Sequence, residues 1–238
     1  MAVQNTTLGR FISKYYLEGA VLSSKWKLKD ETLSARFITD DRTLLGELKL
    51  KNFKCDNLEG QELGIYNTEQ LNKLLGVLDD TISIKSEYPY LHINDSKSKV
   101  SYVLSDLSII KDAPTMKMQP TFETTLNMDS DFRKKFVKGK GALPDVETFT
   151  LVKNGSSDTI NIVIGHSSIA TNNCTIPVKT DNPTAGLMSF NAKYLKSIIT
   201  ANSDAKECTM KVSSDGLARL NFKADDFEVE YNMVAVQN

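Results

Sequence analysis

Residues 65–78 read IYNTEQLNKLLGVL, and residues 189–202 read SFNAKYLKSIITAN. Tyr66 aligns with Phe190, Asn67 with Asn191, Leu71 with Leu195, Leu74 with Ile198 and Leu75 with Ile199, at a constant offset of 124 residues. A weaker echo precedes each copy, where Phe11 and Tyr15 match Phe132 and Phe136 at an offset of 121. Strand-like stretches follow both copies. A chain of 238 residues that repeats at about half its length predicts two similar halves and a pseudo-symmetric object.

Working outward from the repeat, four segments carry apolar residues at helical spacing. The first covers about 6–18, with Leu8, Phe11, Ile12 and Tyr15 on one face and Asn5, Thr6 or Thr7 as a cap. The second covers about 68–78, with Leu71, Leu74, Leu75 and Leu78 on one face. There Asn67 and Gln70 are spaced as a capping box. The third, about 129–138, follows Asp129 and ends before Gly139-Lys140-Gly141, and the fourth covers about 191–202. Segments 44–50, 81–85, 100–104, 149–153, 159–164, 209–212 and 227–233 read as strands, by alternation or short apolar runs. Turn signals at Asn154-Gly155, Asp181-Asn182-Pro183 and Ser214-Asp215-Gly216 separate them. Each half therefore reads helix, strands, helix, strands, which is an α+β pattern with antiparallel sheets. The expected boundaries are 1–106 for the first domain, 107–121 for a connector and 122–238 for the second domain. The connector holds Pro114 and Pro120, but also Ile109, Ile110, Met116 and Met118. It is too apolar for a free linker and is expected to lie against a surface as an added strand.

Composition excludes several classes. No apolar run approaches membrane-spanning length, and MAVQNTTLGR lacks the apolar core of a secretory signal, so a cytoplasmic location is expected. Cys55, Cys174 and Cys208 are odd in number and far apart, which supports neither a disulfide framework nor a metal site. Only His92 and His166 are present. His166 adjoins Ser167 and Ser168, but adjacency in sequence is not catalytic geometry, and the chain has no Gly-x-Ser-x-Gly elbow. Gly139-Lys140-Gly141 lacks the spacing of a phosphate loop. The reading is of a protein that is not an enzyme and needs no cofactor or metal.

Net charge is −1, which argues against a simple nucleic-acid binder, but the charges are not evenly spread. The four helical segments hold nine basic and four acidic residues, a net of +5, which leaves −6 for the remainder. At about 100° per residue, Arg10 and Lys14 lie roughly 200° and 240° from Leu8, and Lys73 lies roughly 200° from Leu71. Lys134 and Lys138 hold the same relation to Phe132, with Arg133 and Lys135 on the flanks. Lys193 and Lys196 fall more to the sides of the fourth helix. Basic outer faces on helices are commonly just solvated. Their recurrence in a pseudo-repeat suits phosphate contact along a duplex, which needs only Lys and Arg on a surface that tracks it.

The run Gly64-Ile65-Tyr66, Leu71, Leu74-Leu75-Gly76 and Asp79-Asp80-Thr81-Ile82-Ser83 resembles the helix-to-strand core of the sliding clamps of T4-like phages. Phe190-Asn191-Ala192-Lys193-Tyr194-Leu195 resembles the last helix of such clamps and of the proliferating cell nuclear antigen. The resemblance covers most of the chain in element order, with close motif matches confined to 64–84 and 189–200. It implies two clamp domains, each with two helices on antiparallel sheets, in a head-to-tail homotrimeric ring around duplex DNA. The ring would tether a DNA polymerase and be opened by an ATP-dependent clamp loader, in the cytoplasm of an infected bacterial host if the source is viral. DNA would meet Arg10, Lys14, Lys73, Arg133, Lys134, Lys138, Lys193 and Lys196. A partner-peptide pocket would involve Leu44, Leu45, Ile109, Ile110, Val234 and Val236. Subunits would pair an edge strand holding Ser101, Tyr102 and Val103 with one holding Met210 and Val212. The competing reading is a β-rich phage structural or assembly protein without a DNA role, which has no use for basic residues gathered on helices.

Overall fold

The structure, a computed structural model, describes residues 2–115, 120–153, 158–180, 182 and 186–236. Met116 and Met118 of the connector, the Asn154-Gly155 turn, and Asp181 and Pro183 lie outside the described residues. The chain divides into two compact units, one of Met1–Pro114 with Asp225–Val229, the other of Thr115–Ala224 with Glu230–Asn238.

The first unit runs β1 (Val3–Gln4), α1 (Asn5–Tyr16), β2 (Ser24–Lys29), β3 (Thr32–Ile38), β4 (Leu44–Leu50), β5 (Glu62–Ile65), α2 (Thr68–Leu75), β6 (Thr81–Glu87), β7 (Tyr90–Asn94) and β8 (Lys99–Val103). Its strands form an antiparallel sheet ordered β5-β2-β3-β4 and another ordered β1-β6-β7-β8. The second unit runs β9 (Thr124–Asn127), α3 (Ser130–Ala142), β10 (Thr148–Lys153), β11 (Thr159–Ile164), β12 (Cys174–Lys179), β13 (Met188–Asn191), α4 (Ala192–Ala201), β14 (Glu207–Ser213), β15 (Leu217–Ala224) and β16 (Phe227–Val234). Its sheets are ordered β13-β10-β11-β12 and β9-β14-β15-β16. The two orders match strand for strand, so the sequence repeat is a repeat of topology. Residues Phe227–Val229, the start of β16, belong to the first unit and lie beside β4.

The repeated residues do repeated work. Asn67 accepts from the Gln70 N–H at 2.9 Å, and Asn191 accepts from the Tyr194 N–H at 2.9 Å, so both copies cap the following helix. The expected capping box at the second helix is only half present, because the Asn67 N–H donates to the Tyr102 hydroxyl instead of to Gln70. The core aromatics also correspond. Phe11 meets Trp26 edge to face at 5.4 Å in the first unit, and Phe136 meets Phe149 edge to face at 5.4 Å in the second. Tyr15 is fully buried and its hydroxyl accepts from Trp26 Nε1 at 3.2 Å, which satisfies both groups inside the core.

Three helix boundaries differ from the sequence reading. The second helix ends at Leu75 rather than near Leu78. The first helix ends at Tyr16, where Leu17 and Glu18 take left-handed conformations, and its cap residue is Gln4. Asn5 serves elsewhere: its Nδ2 donates to the carbonyls of Leu75 and Leu78 at 2.9 and 3.1 Å, closing the C-terminus of α2. The third helix does not stop at Lys138 but continues through Gly139 and Gly141 to Ala142. Each glycine costs about 1 kcal/mol against alanine in a helix, so tertiary contact must hold this turn. A Cβ on Gly139 would stand 2.8 Å from Cys174 Sγ, so the helix packs closely on β12 and a larger residue would force Cys174 to shift.

Candidate nucleic-acid interface

In each unit two helices pack side by side, α1 with α2 and α3 with α4. Their basic residues divide into three groups: structural, neutralised by a carboxylate, and unpartnered.

Lys14 and Arg133 are structural, which corrects their expected place on an exposed face. Lys14 is fully buried, with Nζ 5.1 Å from the centre of the Phe227 ring. Arg10 lies over the same ring at 4.8 Å and also reaches Asp225 at 3.4 Å. The helix wheel puts both cations opposite Leu8, and it does so correctly. That side of α1 is covered by Asp225–Val229, a segment from the far end of the chain. Arg133 donates to the carbonyls of Asn202 at 3.3 Å and Ala205 at 3.0 Å, closing the end of α4 as Asn5 closes the end of α2.

Lys73 is exposed but bound to Glu69 one turn earlier at 2.5 Å, and that carboxylate raises the lysine pKa. Lys135 is held in the same way by Asp131 at 2.7 Å. Such pairs lower the positive charge a helix presents.

Lys134, Lys138 and Lys193 are exposed and Lys196 is half-buried, and none has a carboxylate partner among the described residues. A buried neighbour, Lys140, donates to the carbonyls of Leu143 and Pro144 at 3.2 and 2.8 Å and so closes α3. Burial lowers its pKa, and the nearby charges of Lys196 and Lys193 lower it further. The pair α3 and α4 therefore carries a true concentration of positive charge. The fourth helix, which fits the wheel less well, contributes two of its members.

A second feature adjoins the connector, which forms a 3-10 turn at Leu107–Ile109 and no strand among its described residues. It starts where Ser105 N–H donates to Gly64 at 2.9 Å, and a Cβ on Gly64 would fall 2.3 Å from the Ser105 carbonyl oxygen. Only glycine allows that approach. Ile110 is buried, and Leu44 is in the core, so neither lines an open pocket. Ile109 is 59% exposed and lines a cleft of about 470 Å³ with Leu22, Ile38 and Tyr66. Asp40, Glu69 and Lys111 also line it. Leu45 is half-buried, and Val234 and Val236 are exposed in the second unit. Tyr66 was not singled out by sequence: it aligns with Phe190, which is fully buried, yet Tyr66 is 59% exposed.

The third feature is a pair of strand edges. On β8, Leu104 N–H bonds to Pro89, which fixes the parity of the β7–β8 ladder. The backbones of Lys99, Ser101 and Val103 then point away from β7. Tyr102 points inward, its side chain buried and its hydroxyl bonded to Asn67, which corrects its expected role as an exposed contact. Met210 and Val212 are also corrected. They lie in β14, which is paired on one side with β15 and on the other with β9, and both are buried. An interior strand has no edge to offer. The edge of the second unit is β12, whose outer side meets β9 only at its end, where Thr180 bridges Leu126, and has no other strand neighbour among the described residues. Thr180 N–H bonds to Asp158, so Thr175, Pro177 and Lys179 face outward there. His92 bonds Ser101 at 2.9 Å and stacks on Tyr90, which accounts for one of the two histidines.

No family profile and no curated protein matches the sequence. Solved structures match in fold. The proliferating cellular nuclear antigen of Entamoeba histolytica is similar with a TM-score of 0.76 at 14% identity, over 98% of this chain and 96% of that one. The A. fulgidus PCNA, solved with the C-terminal region of FEN-1 bound, is similar with a TM-score of 0.77 at 13% identity, over 100% of this chain and 98% of that one. No helix of the described residues is long and apolar enough to cross a membrane. With its duplicated topology matched from end to end, the chain has the fold of the sliding clamps.

Proposed function

We propose that the chain is a DNA sliding clamp that encircles duplex DNA as a head-to-tail homotrimer and holds a replicative DNA polymerase on its template. The observation that carries this is the concentration of unpartnered lysines, Lys134, Lys138, Lys193 and Lys196, on the paired helices of a clamp fold. A sequence-independent duplex binder needs positive charge on a smooth surface and no base-reading side chains. Arg10 and Lys73 add weaker contacts, because each is shared with a carboxylate.

The repeat supports a head-to-tail ring, for which we propose three copies. By topology β4 corresponds to β12, and β8 corresponds to β16. In the first unit the outer side of β4 is covered by the start of β16. Among the described residues β8 and, short of its end at Thr180, β12 have no partner on the corresponding edges, and pairing β8 of one copy with β12 of the next would repeat the same contact between chains. A heterologous contact of this kind closes into a ring when its rotation allows. The cleft at Ile109, Leu22 and Tyr66 is the proposed seat of partner peptides. Loading onto closed DNA would fall to a separate ATP-dependent loader, in keeping with a chain that carries no phosphate-loop motif. The phage affinity and a host-cell cytoplasmic location rest on residues 64–84. A structural or assembly role is not favoured, because it leaves the four lysines without a purpose.

The test is primer extension on a long single-stranded template with the cognate polymerase, loader and ATP. The clamp reading predicts product lengthening that requires all components and a trimer by light scattering. A stable monomer with no effect on product length overturns it.

A further inference from the structure

On the outer side of the sheet β5-β2-β3-β4, the β2 sequence SKWKLK turns Trp26 and Leu28 inward and Lys25, Lys27 and Lys29 outward. The register places Lys25 directly opposite Arg36 of β3. Like charges in that position are destabilising, so a sheet that keeps them needs a compensating group. The connector supplies it. Asp112 binds Lys25 Nζ at 2.6 Å, and the Pro114 carbonyl accepts from Arg36 at 2.9 Å. Between sheet and connector lies a cleft of about 240 Å³, lined by Lys25, Lys27, Arg36, Glu62, Lys111 and Asp112 among others. Lys27 faces into it with no ion pair among the described residues, although Glu62 is its neighbour in register.

We propose that this cleft binds an extended acidic segment of a partner protein, whose carboxylates replace Asp112 on Lys25 and also engage Lys27 and Arg36. The connector itself shows what the site accepts, since residues 112–114 present a carboxylate and a backbone carbonyl from an irregular segment. Asp112 is an exchangeable occupant. Its side chain is 82% exposed while that of Lys25 is 18% exposed, so the cation is the built half of the pair and the anion the loose half. A peptide is favoured over nucleic acid because Glu62 stands in the cleft and repels closely spaced phosphates, whereas a peptide can place its acids to avoid it. The site is separate from the Ile109 cleft, and the two share Lys111 as a lining residue. It stands whether or not the chain encircles DNA.

The experiment is fluorescence anisotropy of a labelled peptide of about a dozen residues, half Asp or Glu, titrated with the full chain at low salt. Lys27→Glu is expected to weaken binding about ten-fold or more by placing a repelling charge in the cleft. Asp112→Asn is expected to tighten binding severalfold, because it removes the internal competitor. Lys134→Ala with Lys138→Ala should leave the peptide affinity unchanged. Melting curves confirm that each variant folds. No binding, binding indifferent to Lys27→Glu, or weaker binding by Asp112→Asn overturns the proposal. Tighter binding of an oligothymidylate of equal charge, with the same dependence on Lys27, assigns the site to single-stranded nucleic acid and overturns it as well.

Discussion

Replacing Lys134, Lys138, Lys193 and Lys196 together by alanine removes the unpartnered positive charge of α3 and α4 and almost nothing else. Each lysine that neutralises one phosphate of a duplex contributes about 0.9 to the slope of log affinity against log salt. Four such contacts contribute roughly 3.6 per protomer, and a four-fold rise in salt then costs about two powers of ten in affinity. The variant should lose roughly that much salt sensitivity. Lys73→Ala should lose less, because Glu69 already holds that ammonium at 2.5 Å. Arg133→Ala should act on stability, since it strips the carbonyls of Asn202 and Ala205 of their donor. The assay is anisotropy of a labelled short duplex over a range of salt, paired with thermal melts of every variant. An unchanged slope in a quadruple variant that melts normally would refute the assignment of α3 and α4 to the DNA-facing surface.

Four more outcomes are expected. Asn191→Ala removes the acceptor of the Tyr194 N–H and should cost about 1 kcal/mol by chemical denaturation, as is usual for a lost helix cap. Ser101→Pro deletes an outward donor on the open edge of β8 while sparing its bonds to β7. It should weaken self-association in sedimentation, whereas Ser101→Ala, which removes only the hydroxyl bonded to His92, should not. Ile109→Asp should abolish stimulation of the polymerase but leave the trimer and its DNA affinity intact. Burial pushes the Cys208 thiol up to about 12 from an ordinary 9.0. The unfolded chain therefore loses this proton first, so its contribution to stability is full below about 9 and falls between there and 12. Urea midpoints measured across that range should decline less steeply in Cys208→Ala.

The legible part of the structure is what the repeat carries locally. Asn67 and Asn191 cap their helices as their positions indicate, and Phe11, Tyr15, Phe132 and Phe136 are buried together with the aromatics of the neighbouring strands. Apolar periodicity reports which face of a helix meets its own sheet. It does not report what covers the other face. Lys14 is buried because Phe227, more than two hundred residues away, lies against it, and Arg133 is spent on the end of α4. Strand order is equally hidden, so Met210 and Val212 read as edge residues although β9 and β15 flank their strand. Gly139 and Gly141 read as a helix stop because the contact with Cys174 that sustains the helix is not local. Tyr66 gave the reverse lesson. Its burial differs from that of its repeat partner Phe190, and the place where the copies part company is a cleft beside the connector.

The role proposed is topological: a ring would hold DNA by surrounding it, with sequence-independent contact to its inner wall. Its most direct test compares retention of the loaded protein on a nicked circle and on the same DNA after linearisation with free ends. The account predicts that the protein stays on the circle through gel filtration and runs off the linear form. Equal retention on both, or equal loss from both, would contradict it.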